Sequence, residues 1–282
     1  MDFKSFKNVS STSIFFFIIM GFPKFSFGWG RTGHDIVIEI AFHFLKGDVK
    51  KNVITYLHGR TPEEASNWMD SVRSDPKYDF MKSWHYIDLE KGKPFVPSTE
   101  ENLMNRLIIT YNELGHKQTL SDARIDTNLL ILIHLIGDLH QPLHTGYPED
   151  EGGNTVDVKF LGISTSLHRV WDDNIIDSEK ITAVDCLQLY KNYTQKQIDS
   201  IKAINFIAWM NDGRKYLKSV YSFSDFTIDS KYIARNKPII KRQLLFAGLR
   251  LAFVLEKLFD TSATTRDRAL LFEAPFSFNC NS

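Results

Sequence analysis

The chain has 282 residues, 43% of them hydrophobic, and a formal net charge of zero. That length can bury a substantial core, as one large domain or two small ones. The charge balance excludes a protein that grips nucleic acid with a strongly basic surface. A polyanionic substrate would have to be drawn by local charge, such as a bound metal.

Residues 1–28 read as a secretory signal peptide. Lys4 and Lys7 give a basic start, an apolar run covers 14–22, and Ser26 and Gly28 place small residues before a cleavage point at Gly28/Trp29. The run is short for a membrane span, and no later segment is long and apolar enough either. Cleavage would make the protein secreted or periplasmic. It would also remove Lys4, Lys7, Lys24 and Asp2, leaving a net charge of −2.

The rest reads as mainly helical. Residues 33–45 carry apolar positions at helical spacing, with His34 in the first turn. Asp48 can cap a second helix reaching His58. Thr61-Pro62-Glu63-Glu64 joins a capping box to a proline at the first helical position, and that helix is read as carrying Trp68, Met69, Asp70 and Arg73. Residues 77–95 look irregular and hold Trp84-His85-Tyr86-Ile87-Asp88. Ser98-Thr99-Glu100-Glu101 opens a helix to about Leu114, and Ser121 or Asp122 opens a long central one through Leu139. A polar, glycine-rich loop comes next over 146–154, then a short strand or hairpin arm over 155–161. Three or four more helices fill 175–258, the last from about Pro238 to Phe259, before a C-terminal tail over 266–282. The expected domain spans 29–265. Cys186 and Cys280 allow one disulfide tying that tail to the body, or two free thiols.

The most informative stretch is Ile133 to His144, with three histidines and an aspartate among apolar residues. His134 and Asp138 share one helical face. Pro142 kinks or ends the helix and re-aims the residues after it. His168 and Asp172 repeat the spacing. A buried polar pair must be satisfied, and a divalent cation is one way, a plain hydrogen-bonded pair another. The candidate donors are His34, Asp70, His85, His134, Asp138, His144, His168 and Asp172. All are imidazole or carboxylate, a set suited to zinc, manganese or iron. Eight exceed one ion's needs. His43, His58 and His116 read as surface or helix-end residues, and His140 as a group that could stand behind the ligands. Arg73 projects near Asp70 and could clamp a phosphate, or pair with a glutamate on its own helix.

Six segments in order resemble the zinc-dependent single-strand-specific nucleases, the family of mung bean nuclease and the fungal and plant extracellular nucleases, within the zinc phospholipase C-like superfamily. They are Trp29-Gly30 with Gly33-His34; Trp68, Asp70 and Arg73; Trp84 to Asp88; His134 to His144; Gly152-Gly153-Asn154; and Leu167-His168 with Trp171-Asp172. The resemblance implies a single-domain, mainly α fold with a short β-hairpin and three zinc ions. Asp70, His85, His134 and Asp138 would hold one ion. Asp138 would bridge to a second, bound by His34 and the backbone of Trp29, whose amine cleavage frees. His144, His168 and Asp172 would hold the third.

The implied activity is hydrolysis of single-stranded DNA and RNA to 5′-phosphate products, with 3′-mononucleotides as further substrates, by a monomer. A metal-bridged hydroxide would be the nucleophile, with Arg73 stabilising the phosphate and Asn154 contacting substrate or water. Tyr86 would stack a base and Asp88 bond its edge; otherwise Tyr86 is a packing aromatic. The sequence departs from the family at Ser166, at Leu89-Glu90 and in having at most one disulfide. A phospholipase C and a non-catalytic zinc-binding protein are the competing readings.

Overall fold

A computed structural model describes residues 29–260. The proposed leader, the tail and Cys280 lie outside them, so the signal peptide and the disulfide do too; Cys186 is buried. The described chain is mainly helical, as expected, with one small sheet.

Helices α1 (Arg31–Phe44) and α2 (Gly47–Tyr56) come first. The capping box forms as read: Thr61 Oγ1 accepts from the Glu64 amide at 3.1 Å, and Glu64 accepts from the Thr61 amide at 2.8 Å. Its helix, α3, is shorter than expected and ends at Ser66. The buried Asn67 amide donates to Asp35 and to the Glu63 carbonyl, and the chain turns. A separate short helix α4 (Trp68–Ser71) therefore presents Asp70, and Arg73 lies just beyond it. Residues 76–85 wind as a 3₁₀ helix rather than an irregular loop. Helix α5 (Leu103–Gly115) begins later than predicted. Asn102, not Ser98, caps it, accepting from the Asn105 amide at 2.9 Å.

Helix α6 (Asp122–Asp138) opens at Ser121 as predicted. It is buried on all sides from Asn128 onward, which marks it as the centre of the fold. It ends at Asp138, before Pro142, which instead opens a 3₁₀ turn over Pro142–Thr145.

Strands β1 (Asp157–Phe160) and β2 (Ile163–Ser166) make the expected hairpin. Unforeseen is β3 (Thr227–Ile228), which adds parallel to β1 and gives the order β2-β1-β3. After α7 (Leu167–Arg169) the chain widens into a π-helical turn, Val170–Asn174.

The remaining helices are more numerous than three or four: α8 (Ile175–Ser178), α9 (Ala183–Tyr190), α10 (Gln195–Lys202), α11 (Phe206–Arg214), α12 (Leu217–Val220) and α13 (Ser230–Phe259). Pro238 lies inside α13 instead of starting it. An interior proline costs about 3 kcal/mol. Here the helix runs on because its second half is buried almost continuously from Gln243 to Ala252. Gly248 lets α1 cross α13 closely: a Cβ there would lie 2.4 Å from Ile40 Cγ2. Together α1, α6 and α13 form the frame on which the site is mounted. Among the described residues no helix is long and apolar enough to cross a membrane.

Candidate metal centre

The predicted donors converge from six places in the chain. His34 comes from α1, Asp70 from α4, His85 from the end of the 3₁₀ helix, and His134 and Asp138 from α6. His144 sits on the turn after α6, and His168 and Asp172 on α7 and the π-turn. They fall into three groups whose donor atoms lie within 4.8 Å of one another: His34, His134 and Asp138; Asp70, His85 and His134; and His144, His168 and Asp172. All are buried except Asp70, which is partly so.

Asp138 is the hub. Its Oδ2 lies 3.1 Å from His85 Nδ1 and 3.3 Å from His134 Nε2. Its Oδ1 lies 3.3 Å from His34 Nε2 and 3.7 Å from His144 Nδ1. Asp70 Oδ1 stands 3.8 Å from His134 Nε2 and 3.9 Å from His85 Nδ1. In the third group His168 Nε2 lies 3.0 Å from His144 Nε2 and 3.2 Å from Asp172 Oδ2.

Backbone carbonyls aim three of the rings. Nδ1 of His134 lies 2.7 Å from the Ser66 carbonyl, that of His144 2.6 Å from the His85 carbonyl, and that of His168 2.7 Å from the Gly152 carbonyl. A carbonyl only accepts, so each Nδ1 carries a hydrogen and each Nε2 faces inward, where its lone pair can serve a metal. This is how ligating histidines are normally held. Gly137 makes room for His34, which stacks on His134 with ring centroids 4.0 Å apart. A Cβ at Gly137 would lie 2.8 Å from His34 Nδ1.

The electrostatics call for cations. Buried without hydrogen-bond partners are His34 Nε2, Asp70 Oδ1 and Asp138 Oδ1, all facing this cluster. With no ion, protons must take the role. Burial opposes a charge on His134, but Asp138 and Asp70 outweigh it and push its pKa up to about 9. His144 rises to about 9 against the same burial, through Asp138 and Asp172. Asp138, buried yet ringed by histidines, is held well below the carboxylate range. Asp172 is pushed well above it by burial. A divalent ion in each group would replace those protons and satisfy the orphaned atoms, so the donor set fits a metal.

Around the cluster, Trp29 is fully buried, and the Gly30 amide donates to the Asp172 carbonyl at 3.1 Å. Half-buried Arg73 lies close enough for its charge to act on His168. Asn154 donates to the Glu151 carbonyl at 2.8 Å, with its amide 3.2 Å from His168 Nδ1. It therefore stands behind that ring. Tyr86 is 44% exposed, which removes the packing-aromatic alternative. It lines an open groove of about 360 Å³ with Asp88, Phe95 and Glu100. Burial pushes the Asp88 carboxyl up to about 6, against the pull of His144. His43, His58 and His116 are exposed, as expected. His140 does not back the ligands: it is neutral, and its Nε2 accepts from Arg250 at 2.7 Å, away from the cluster.

One contributor had no assigned role. Gln141 donates from Nε2 to Asp172 Oδ1 at 2.6 Å, while its Oε1 accepts from the Leu143 amide at 2.7 Å. Its place between His140 and Pro142 was the only hint.

A family model described as S1/P1 Nuclease matches residues 29–260. The chain belongs to the S1/P1 nuclease family. Endonuclease 5 of Arabidopsis thaliana is 26% identical over 277 residues, covering 82% of this chain and 90% of that protein. Nuclease S1 of Aspergillus oryzae is 23% identical, covering 84% of this chain and 94% of its own. Nuclease P1 of Penicillium citrinum is 24% identical, covering 64% and 69%. Membership makes this S1/P1-type chain a nuclease, a hydrolase of phosphodiester bonds. It favours that reading over the phospholipase and the non-catalytic binder.

Proposed function

We propose that this nuclease is a zinc enzyme with three ions, secreted or periplasmic after cleavage at Gly28/Trp29, that hydrolyses single-stranded DNA and RNA and 3′-mononucleotides. The observation that carries it is the three contiguous histidine–carboxylate groups meeting at Asp138, with orphaned donor atoms facing inward. Asp70, His85, His134 and Asp138 would hold the first ion. Asp138, His34 and the backbone of Trp29 would hold the second, and His144, His168 and Asp172 the third. Bound zinc supplies Lewis acidity and water activation near neutral pH.

The chain's own groups do the rest. Arg73 binds the phosphate oxygens with its planar fork and neutralises charge that grows in the transition state. Asn154 contacts substrate or water beside His168. Tyr86 stacks the base of the nucleoside whose sugar 3′-oxygen leaves, and Asp88 accepts from that base's edge. Stacking contributes about 1–3 kcal/mol per base and tolerates any base. It requires an unstacked base, which is the source of the single-strand preference. Products keep a 5′-phosphate. The protein acts as a monomer.

The test uses secreted, N-terminally sequenced protein. Zinc per chain is counted, and single-stranded DNA, duplex DNA, RNA and a 3′-mononucleotide are assayed with and without chelator. Near three zincs, a Trp29 start and chelator-sensitive release of 5′-phosphates from single strands support the proposal. Full zinc with no cleavage of any nucleic acid overturns it.

A further inference from the structure

Two segments that the proposed site needs run side by side. The Ile87 amide donates to the His144 carbonyl at 2.8 Å, and the Leu89 amide to the Gly146 carbonyl at 3.0 Å. With the bond between His144 Nδ1 and the His85 carbonyl, these tie the segment bearing Tyr86 and Asp88 to the turn bearing His144. Among the described residues the pairing is a fragment two bonds long, with no further strand to extend it. A fragment so short is not stable by itself.

Arg214 closes it. It is the last residue of α11, a helix anchored by buried Phe206, Trp209, Met210 and Gly213. Its Nη1 donates to the carbonyls of Thr145 and Gly146, the latter at 2.9 Å. Its Nη2 donates to the Leu89 carbonyl at 2.9 Å. The guanidinium packs 5.6 Å from the Tyr147 ring centroid. One planar fork thus satisfies carbonyls on both segments at once, which a lysine ammonium on its single stem does poorly.

We propose that Arg214 is a positioning residue that joins the base-binding segment to the metal-bearing turn, so that a stacked base is held in register with the phosphate. The inference rests on the proposed roles of Tyr86 and Asp88. Arg214 touches neither substrate nor metal donors; it acts through the backbone of 87–89 and 144–146. Removing the fork loosens the register between base and phosphate, and the penalty falls on substrates that carry a base.

The experiment compares kcat/KM for adenosine 3′-monophosphate and for its abasic tetrahydrofuran analogue in the zinc-loaded wild type, Arg214→Gln and Arg214→Lys. Zinc content and melting temperature are measured alongside. Wild-type protein should prefer the base-bearing substrate. Both variants should lose that preference at least tenfold, mainly through KM, with zinc retained. Amide hydrogen exchange gives a readout independent of activity: Ile87 and Leu89 should exchange faster in both variants, and the amides of α6 should not.

If Arg214→Gln fails to fold, Arg214→Lys carries the test, because it keeps the half-buried charge and loses only the fork. Full preference in the lysine variant would make the positive charge, which acts on Asp88, the operative feature and overturn the proposal. Unchanged exchange at Ile87 and Leu89 would overturn it as well. A wild type with no preference for a base overturns the base-pocket roles and this inference together. A preference that survives in both variants overturns this inference alone.

Discussion

The two His-xxx-Asp pairs share a spacing and differ in almost everything else. His134 and Asp138 sit on the regular helix α6, and His168 and Asp172 on a short helix that widens into a π-turn. Imidazole and carboxylate end up equally close, 3.3 Å in the first pair and 3.2 Å in the second. Asp138, however, is approached by four histidines, and both its oxygens face them. Asp172 is approached by two, and Gln141 occupies one of its oxygens. The surrounding histidines hold the first carboxylate ionised against its burial; at the second, burial outweighs the pull of His144 and Gln141 and pushes the group toward its protonated form. Equal spacing does not confer equal rank: the number of partners brought by other segments decides which pair is the hub.

The largest effect should come from breaking the hub. Asp138→Ala should release more than one ion per chain and lower kcat/KM by about a thousandfold or more, since several kcal/mol of metal stabilisation go with it. Asp172→Ala should release about one ion and cost about a hundredfold. Zinc counting together with single-strand cleavage separates the two. Equal metal loss in both variants would erase the proposed difference in rank.

Next comes Gly137→Ala, which keeps every donor but pushes the His34 ring. Displacing a group by about 1 Å can cost a hundredfold, so about a tenfold to hundredfold loss is expected, with Asp70, His85 and His134 still binding their ion. A crystal structure of the variant would show whether His34 has turned.

Gln141→Leu probes the peripheral pair. It frees Asp172 Oδ1 without touching a donor atom, and losing a hydrogen bond that orients a ligand lowers metal affinity about 10- to 100-fold. Competition with a zinc-binding dye should place that weakening in one site of three.

The smallest effect is a pH dependence. In metal-free protein His134 and His144 titrate near 9, above their unfolded value of 6.5. Their stabilising contribution is complete below about pH 6.5 and is lost as pH rises through about 9. The metal-free protein should melt a few degrees lower at pH 9.5 than at pH 6.5, and zinc-loaded protein should lack this slope. Zinc affinity should fall toward acid, because binding must expel those protons. Scanning calorimetry with and without chelator checks both.

Much of the site was legible because donor chemistry is written in residue type and local spacing. An i,i+4 pair on a helix meets wherever the helix forms, and the Thr61 capping box needs only its own four residues. Local signals also misled where a neighbour outbid them. Ser98 looked like a cap, but Asn102 was better placed. Pro238 looked like a helix start, but the burial of α13 carried the helix through it. His140 read as a group that could stand behind the ligands, and only the buried Arg250 opposite shows that it faces away.

The sequence by itself determined which side chains could bind metal, that helices would carry most of them, and which family the pattern resembles. These come from side-chain chemistry and from contacts within one or two turns. The resemblance had already named Asp138 as the shared carboxylate; only the tertiary structure decided that four histidines surround it, and that the carbonyls of Ser66, His85 and Gly152 aim the rings. It also decided that Gln141 holds Asp172 and that Arg214 joins two loops from far along the chain. Those are backbone and long-range contacts, and a carbonyl looks the same at every position until folding sets what faces it.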